Sequence, residues 1–181
     1  MNDYRLRDFD EQEDIESFYS LRRDIDTMRY FGMDPMHSHS EAVQLIREYK
    51  ERMEKGECFR KVICTKTKQY IGEIGIYKIN STHKRANSYS ILLPEYRKKG
   101  VSIIIASVFY KMVFDLFNLN RIQALVDPRN VNASKSLLGI GYNYEGTLRQ
   151  YEYEHGEFID LDIYSLLRKD YMLKYYPHLE L

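Results

Sequence analysis

The stretch LLPEYRKKGVSIII, residues 92–105, runs from apolar strand-like residues through a proline and a cluster of cations to one glycine and a β-branched run. Pro94 cannot donate to a sheet ladder, so the strand before it must stop pairing near this point. The run after Gly100 has the apolar content of a buried helix, and a helix begins with N–H groups that have no intrahelical partner. Those groups, with the partial positive charge of the helix terminus, favour an oxyanion. Gly100 lets the backbone approach an anion that a Cβ would hold off. Arg97, Lys98 and Lys99 add long-range attraction. The stretch reads as an anion cradle built from peptide N–H groups and suited to a diphosphate; a solvated basic turn is the plainer alternative. Neither a GxxxxGK[ST] phosphate loop nor a GxGxxG dinucleotide turn occurs in the chain.

On the N-terminal side of this stretch, YRLRDF (4–9) alternates as a strand. Ile15, Phe18, Leu21, Ile25 and Met28 then recur at near-helical spacing. Ser38 and Glu41 form a capping box ahead of the stripe Val43, Ile46, Tyr49 and Met53, which Gly56 stops. CFRKVICT (58–65), QYIGEIGIYKI (69–79) and ANSYSILL (86–93) follow as strands, close enough in sequence to be antiparallel neighbours. On the C-terminal side come a helix over about 101–117, the buried strand RIQALVD (121–127) and a short helix opened by NASKSLL (132–138). A hairpin over 142–167, turned at His155-Gly156, completes the order. Strand, two helices, three strands, helix, strand, helix and two strands predict a mixed sheet with helices on both faces. No repeat or Pro/Gly/Ser linker interrupts residues 1–181, so one domain is expected.

Composition narrows the function classes. The chain has 181 residues, 44% hydrophobic and 30% charged, which is ordinary for a globular protein. Lys plus Arg and Asp plus Glu each number 27, so no global field draws it to nucleic acid or to an anionic membrane. The opening MNDYRLRDFDEQED has no apolar signal core, and a cytoplasmic protein is expected. The greasy run 101–117 is broken by Lys111 and Asp115 and is too short for a membrane span. Cys58 and Cys64 have neither metal nor redox spacing, and His37-Ser38-His39 lacks further ligands, so no metal is expected.

Arg97-Lys98-Lys99-Gly100-Val101-Ser102 resembles the signature of the GNAT N-acetyltransferase superfamily: Arg or Gln, two residues, Gly, one residue, then Gly or Ala. MRYFG (28–32), IGEIGIY (71–77), NRIQALVDPRN (120–130), GYNYEGTLR (141–149) and FIDLDIYSLLRKDY (158–171) resemble its ribosomal-protein N-terminal acetyltransferase branch, in order. The resemblance implies the GNAT fold, a mostly antiparallel twisted sheet of about seven strands, with acetyl-CoA as co-substrate and direct transfer to an amine in a ternary complex. It places Ile91, Leu92, Leu93, Arg97, Lys98, Lys99, Gly100, Val101 and Ser102 on coenzyme A. The acceptor is then a ribosomal or other protein N-terminus or a small amine, and the enzyme a monomer or homodimer. Departures are Ser102 for Gly or Ala, Asn87 for a frequent Glu, Leu138 where some relatives have a tyrosine acid, and NVNAS (130–134) lengthened by one residue. Either Asn130 or Asn132 then faces pantetheine, with Asn130 preferred. These departures also suit a non-catalytic acyl-CoA-binding module on the same fold.

The chemistry needs a neutral amine, a polarised thioester carbonyl and a proton for the leaving thiolate. Backbone N–H groups around Ile91 to Leu93 are expected to polarise the carbonyl. Ser134 is the candidate for protonating the thiolate, with a helix-capping role as the alternative. Glu73, the one acid in IGEIGIY, is the candidate base if burial raises its pKa, or else a solvent-facing strand residue. An α-amine, with a pKa of ~8, needs a base less than a lysine amine at ~10.4. YEYEH (151–155) either lines an acceptor channel or is an exposed strand, and Asp160 and Asp162 are read as structural.

Overall fold

The computed structural model describes residues 3–154 and 156–178. Seven strands, β1 (Tyr4–Arg7), β2 (Cys58–Thr65), β3 (Tyr70–Asn80), β4 (Arg85–Leu92), β5 (Arg121–Val126), β6 (Asn143–Glu154) and β7 (Glu157–Leu167), are hydrogen-bonded in the order β1-β2-β3-β4-β5-β7-β6. Helices are α1 (Glu11–Arg23), α2 (Ile25–Met28), α3 (His39–Glu54), α4 (Val101–Leu116), α5 (Val131–Ile140) and α6 (Arg168–Tyr175). The sheet is mixed and mostly antiparallel, as expected, with β4 and β5 running parallel. The chain divides into two compact units, Met1–Lys78 with Tyr89–Ile105, and Ile79–Ser88 with Ala106–Leu181.

In the first unit, Asp10 caps α1 by accepting from the N–H groups of Gln12 and Glu13 at 2.9 and 3.1 Å. One turn on, buried Asp14 takes the Arg7 guanidinium at 2.6 and 2.5 Å. The stripe expected to continue from Ile15 to Met28 breaks at Asp24, whose carboxylate accepts from the Thr27 N–H at 3.2 Å and starts α2. An aspartate offers the backbone a local partner that competes with helix continuation. Ile25 is consequently 70% exposed and not part of the buried face. The capping box of α3 forms with a shift: Ser38 Oγ accepts from Glu41 N–H at 3.3 Å, while the Glu41 carboxylate reaches His37 N–H at 3.1 Å. Gly56, at φ +71, ends that helix, with Glu57 N–H returning to the Arg52 carbonyl at 2.9 Å. Phe18, Tyr19, Met36, Ala42 and Ile46 form the cluster that joins α1 to α3. Burying each large apolar side chain there contributes about 1.5–3 kcal/mol.

In the second unit, β4 pairs with β5 only from Arg85↔Arg121 to Asn87↔Gln123. Ile122, Ala124 and Val126 of β5 alternate inward, and β7 pairs along the full strand from Arg121↔Leu167 to Val126↔Asp162. β6 follows β7 with register shifts after Tyr144 and Leu148. The expected turn residue His155 lies outside the described residues; the strands flanking it end at Glu154 and resume at Glu157. Helix α6 is absent from the sequence reading. It is fixed by Tyr171, which is fully buried and donates to the Ser107 carbonyl at 2.6 Å, and by Arg168, which donates to the Phe114 carbonyl at 2.7 Å. Lys174 Nζ and Tyr175 Oη donate to the carbonyls of Gly139 and Ile140 at 2.7 and 2.8 Å. They serve the last turn of α5, where Gly141 sits at φ +115.

Candidate active site

The cradle lies within the first unit. After β4 ends at Leu92, Leu93 N–H donates to the Ile71 carbonyl at 2.9 Å, and Pro94–Tyr96 form a single 3-10 turn. Arg97 does not extend outward with its neighbours: Nε donates to the Leu92 carbonyl at 2.9 Å and Nη2 to Thr27 Oγ1 at 2.5 Å. Lys98 and Gly100 are left-handed, at φ +59 and +74, on either side of Lys99. Left-handed residues in a turn can direct successive N–H groups toward a common side, where an anion is favoured. Val101 is 1% exposed and anchors the start of α4, while the Gly100 carbonyl accepts from Ile103 and Ile104 N–H at 3.1 and 3.2 Å.

Among the described residues, no protein acceptor takes the N–H groups of Lys98, Lys99, Gly100, Val101 or Ser102. A Cβ added at Gly100 would meet nothing within 4 Å, so the glycine faces open space and is not a packing requirement. Consecutive unused donors, a helix start and exposed Lys98 and Lys99 fit a diphosphate. Arg97 is a positioning residue for the turn. Ile91 and Leu92 are buried, at 6% and 8% exposure, so their side chains belong to the core. Leu93 corrects the expectation for a carbonyl-polarising amide, because its N–H is already committed to Ile71.

Glu73 is also corrected. It is 2% exposed and neither faces solvent nor has the raised pKa of a base. Its Oε1 accepts from Arg22 Nη1 at 2.8 Å and from Tyr70 Oη at 2.6 Å, and Oε2 lies 3.3 Å from Arg22 Nη2 and 3.4 Å from Arg60 Nη1. Burial pushes this carboxyl up, but the charges of Arg22 and Arg60 and the Tyr70 hydroxyl together bring it below its ordinary 4.5. A carboxylate held so firmly in its charged form is a poor proton acceptor. Arg22, fully buried beneath Phe18, and Arg60, stacked on Tyr49, are the residues the sequence reading missed; the available signal was an arginine next to Leu21 on the apolar stripe of α1.

The second unit holds the other candidates. Asn130 is the N-cap of α5, its Oδ1 accepting from Ala133 N–H at 3.2 Å. Capping therefore falls to Asn130, and Ser134 sits one turn inside the helix with Oγ 3.5 Å from the Asn130 carbonyl. Asn132 is exposed, leaving its side-chain amide unengaged by the cap. Tyr151 and Tyr153 of YEYEH are 52% and 64% exposed, and Asp160 and Asp162 accept from Gln150 N–H and Thr147 Oγ1 at 2.7 and 2.6 Å. His39 pairs with Glu16 at 2.7 Å, and no cluster of three metal-ligating side chains occurs among the described residues. Nor, among them, is any helix long and apolar enough to cross a membrane.

A turn with unused N–H groups stands at the head of α4, after a strand that leaves its parallel neighbour after three residue pairs. The family model of the acetyltransferase (GNAT) domain matches residues 4–143, and the chain belongs to that family. It is an acetyl-CoA-dependent N-acetyltransferase. It is 29% identical to the N-acetyltransferase YoaA of Bacillus subtilis (strain 168), over 86% of this chain and 89% of that protein. It is 26% identical to the spermidine N(1)-acetyltransferase of Escherichia coli (strain K12), over 82% and 77%. The crystal structure of spermidine N-acetyltransferase from Vibrio cholerae in complex with CoA and spermine superposes with a TM-score of 0.83 over 94% of this chain and 98% of that one, at 24% identity, which shows the shared fold.

Proposed function

We propose that the chain transfers acetyl from acetyl-CoA to the primary amine of a small molecule or a protein N-terminus, by direct attack within a ternary complex. The observation that carries the assignment is the run of unused N–H groups from Lys98 to Ser102 around left-handed Gly100. In this reading those amides hold the diphosphate, Lys98 and Lys99 attract it, and Ser102 adds a hydroxyl at its edge. Side-chain and peptide directions alternate along a strand, so of the three amides at the end of β4 the Leu92 N–H lies on the edge opposite to Leu93 and is the one left to polarise the thioester carbonyl. The amine nitrogen forms a bond to the carbonyl carbon as the carbon–sulfur bond breaks. Ser134 relays a proton to the departing thiolate, and the new amide's nitrogen releases its proton to water. Asn132, outside the cap, takes the pantetheine role in preference to Asn130.

Release of free thiol from acetyl-CoA, followed across a panel of amines with the folded protein, tests this reading. Turnover that requires both an amine and an intact Gly100 is the expected result. Thiol release from no amine, with folding verified, would overturn it.

A further inference from the structure

The acceptor's chemistry can be read from the group that removed Glu73 from the base role, taking the acetyltransferase reading as given. Arg22 and Arg60 converge on the single carboxylate of Glu73, with all three side chains at 12% exposure or less. Glu73 is saturated by Arg22 and Tyr70, and among the described residues the Arg60 guanidinium has one hydrogen bond to it, at 3.4 Å. Two cations against one anion leave one positive charge over, and it belongs to Arg60. Among the described residues, Arg60 Nε is buried with no partner, and so is the hydroxyl of Tyr89. The two side chains are neighbours, the Arg60 guanidinium lying 5.3 Å from the Tyr89 ring centroid and 3.1 Å from that of Tyr49. Phe31 and Tyr77 stand 5.9 and 6.3 Å from the same Tyr89 ring. Gly75, the register partner of Arg60, makes room for the Tyr89 ring, since a Cβ there would sit 2.6 Å from Tyr89 Cε1.

A buried hydroxyl and a buried guanidinium nitrogen without acceptors are each costly, and two such donors on neighbouring side chains, with surplus positive charge, have one chemical complement. We propose that the amine this enzyme acetylates carries an oxyanion, a carboxylate or a phosphate, received by Arg60 and the Tyr89 hydroxyl within an aromatic wall. The same surplus charge repels a polycation such as spermidine, so Arg60 and Tyr89 set specificity and not the rate of chemistry. The Arg60 side chain as a whole is 12% exposed and Tyr89 is half-buried.

The test compares β-alanine, 2-aminoethyl phosphate, n-propylamine and spermidine, by thiol release with acetyl-CoA and by calorimetric binding to the enzyme saturated with coenzyme A. The two anionic amines separate carboxylate from phosphate. At least one is expected to exceed n-propylamine and spermidine in kcat/KM by about tenfold, the worth of one charge-assisted hydrogen bond. Tyr89→Phe removes only an unpartnered hydroxyl and should fold normally; it is expected to raise KM for the anionic amine about tenfold and leave n-propylamine unchanged. Arg60→Gln should do the same more strongly. Equal or better use of spermidine, a Tyr89→Phe variant without effect, or one that weakens all amines alike would overturn the proposal. If no amine is turned over, the catalytic reading fails separately. Binding of an anionic amine beside coenzyme A, lost in Tyr89→Phe, would still uphold the oxyanion site, and absence of that binding would end it.

Discussion

Arg97 Nε donates to the carbonyl of Leu92 at 2.9 Å, closing the cationic turn back onto the strand that leads into it. Its Nη2 reaches Thr27 Oγ1, and Thr27 in turn meets the carboxylate that caps α2. The first residue of the signature is thus the clasp that sets the path of the free amides after it. A lysine cannot span two acceptors with a planar fork. Arg97→Lys is expected to weaken coenzyme A binding about tenfold, while Lys98→Ala or Lys99→Ala costs about threefold and mainly at low salt, because exposed charges are screened. Calorimetry at two ionic strengths separates the two behaviours.

Gly100 combines a left-handed φ of +74 with empty space where a side chain would be. Gly100→Val should lower stability by about 1–2 kcal/mol through backbone strain, and coenzyme A affinity far more than that strain explains. Parallel melting and binding measurements give the comparison; an affinity equal to wild type would remove the cradle from the ligand.

Asn130 caps α5, and Ser134 is the proposed proton relay. Asn130→Ala removes the cap on α5 and should cost about 1 kcal/mol of stability. Ser134→Ala, one turn further in, should leave the melting temperature nearly unchanged and lower kcat more than it raises KM. A Ser134→Ala variant with equal loss of stability and rate would reduce it to a helix residue.

Glu73 enters the pH dependence of folding and not that of catalysis. Its folded pKa lies below the ordinary 4.5, so its contribution is complete above the unfolded value and is lost as pH falls through the folded one. Glu73→Gln leaves Arg22 and Arg60 without their carboxylate and should destabilise by about 3–5 kcal/mol. With Glu73 already charged, the limb of kcat/KM should follow the acceptor: a break near ~8 for an α-amine and ~10.4 for a lysine-type amine. A break that stays fixed as the acceptor is changed would reveal an enzyme base.

Glu145 gives a second acid-side signature. Hydrogen bonds from Arg121 and Ser165 hold its carboxyl down to about 2. Its stabilisation is present above the unfolded pKa, near 4.5, and fades as pH drops toward 2. Denaturant melts at pH 5, 3.5 and 2.5 should show a steeper loss for wild type than for Glu145→Gln.

The sequence was most legible where local chemistry acts alone. Ser38, Gly56, Pro94 and Gly100 mark a helix start, a helix stop and the turn before α4, because caps and left-handed turns depend on a few adjacent residues. It was least legible where distant residues meet. Arg22 and Glu73 are 51 residues apart, and only packing makes a helix arginine and a strand glutamate into one buried pair. Periodicity alone counted Ile25 into a helix that Asp24 had already ended, and pattern gave no hint of α6, whose mean polarity hides two buried residues, Tyr171 and Met172.

Lys174 and Tyr175 finish a helix that lies 35 positions upstream of each of their acceptors. The family match stops at residue 143, yet the helix bearing Ser134 is tied off by side chains beyond it. A deletion falling just short of Lys174 would leave residues 1–143 untouched and still unbutton α5 from its far end, so the tail is a remote grip on the serine it never touches.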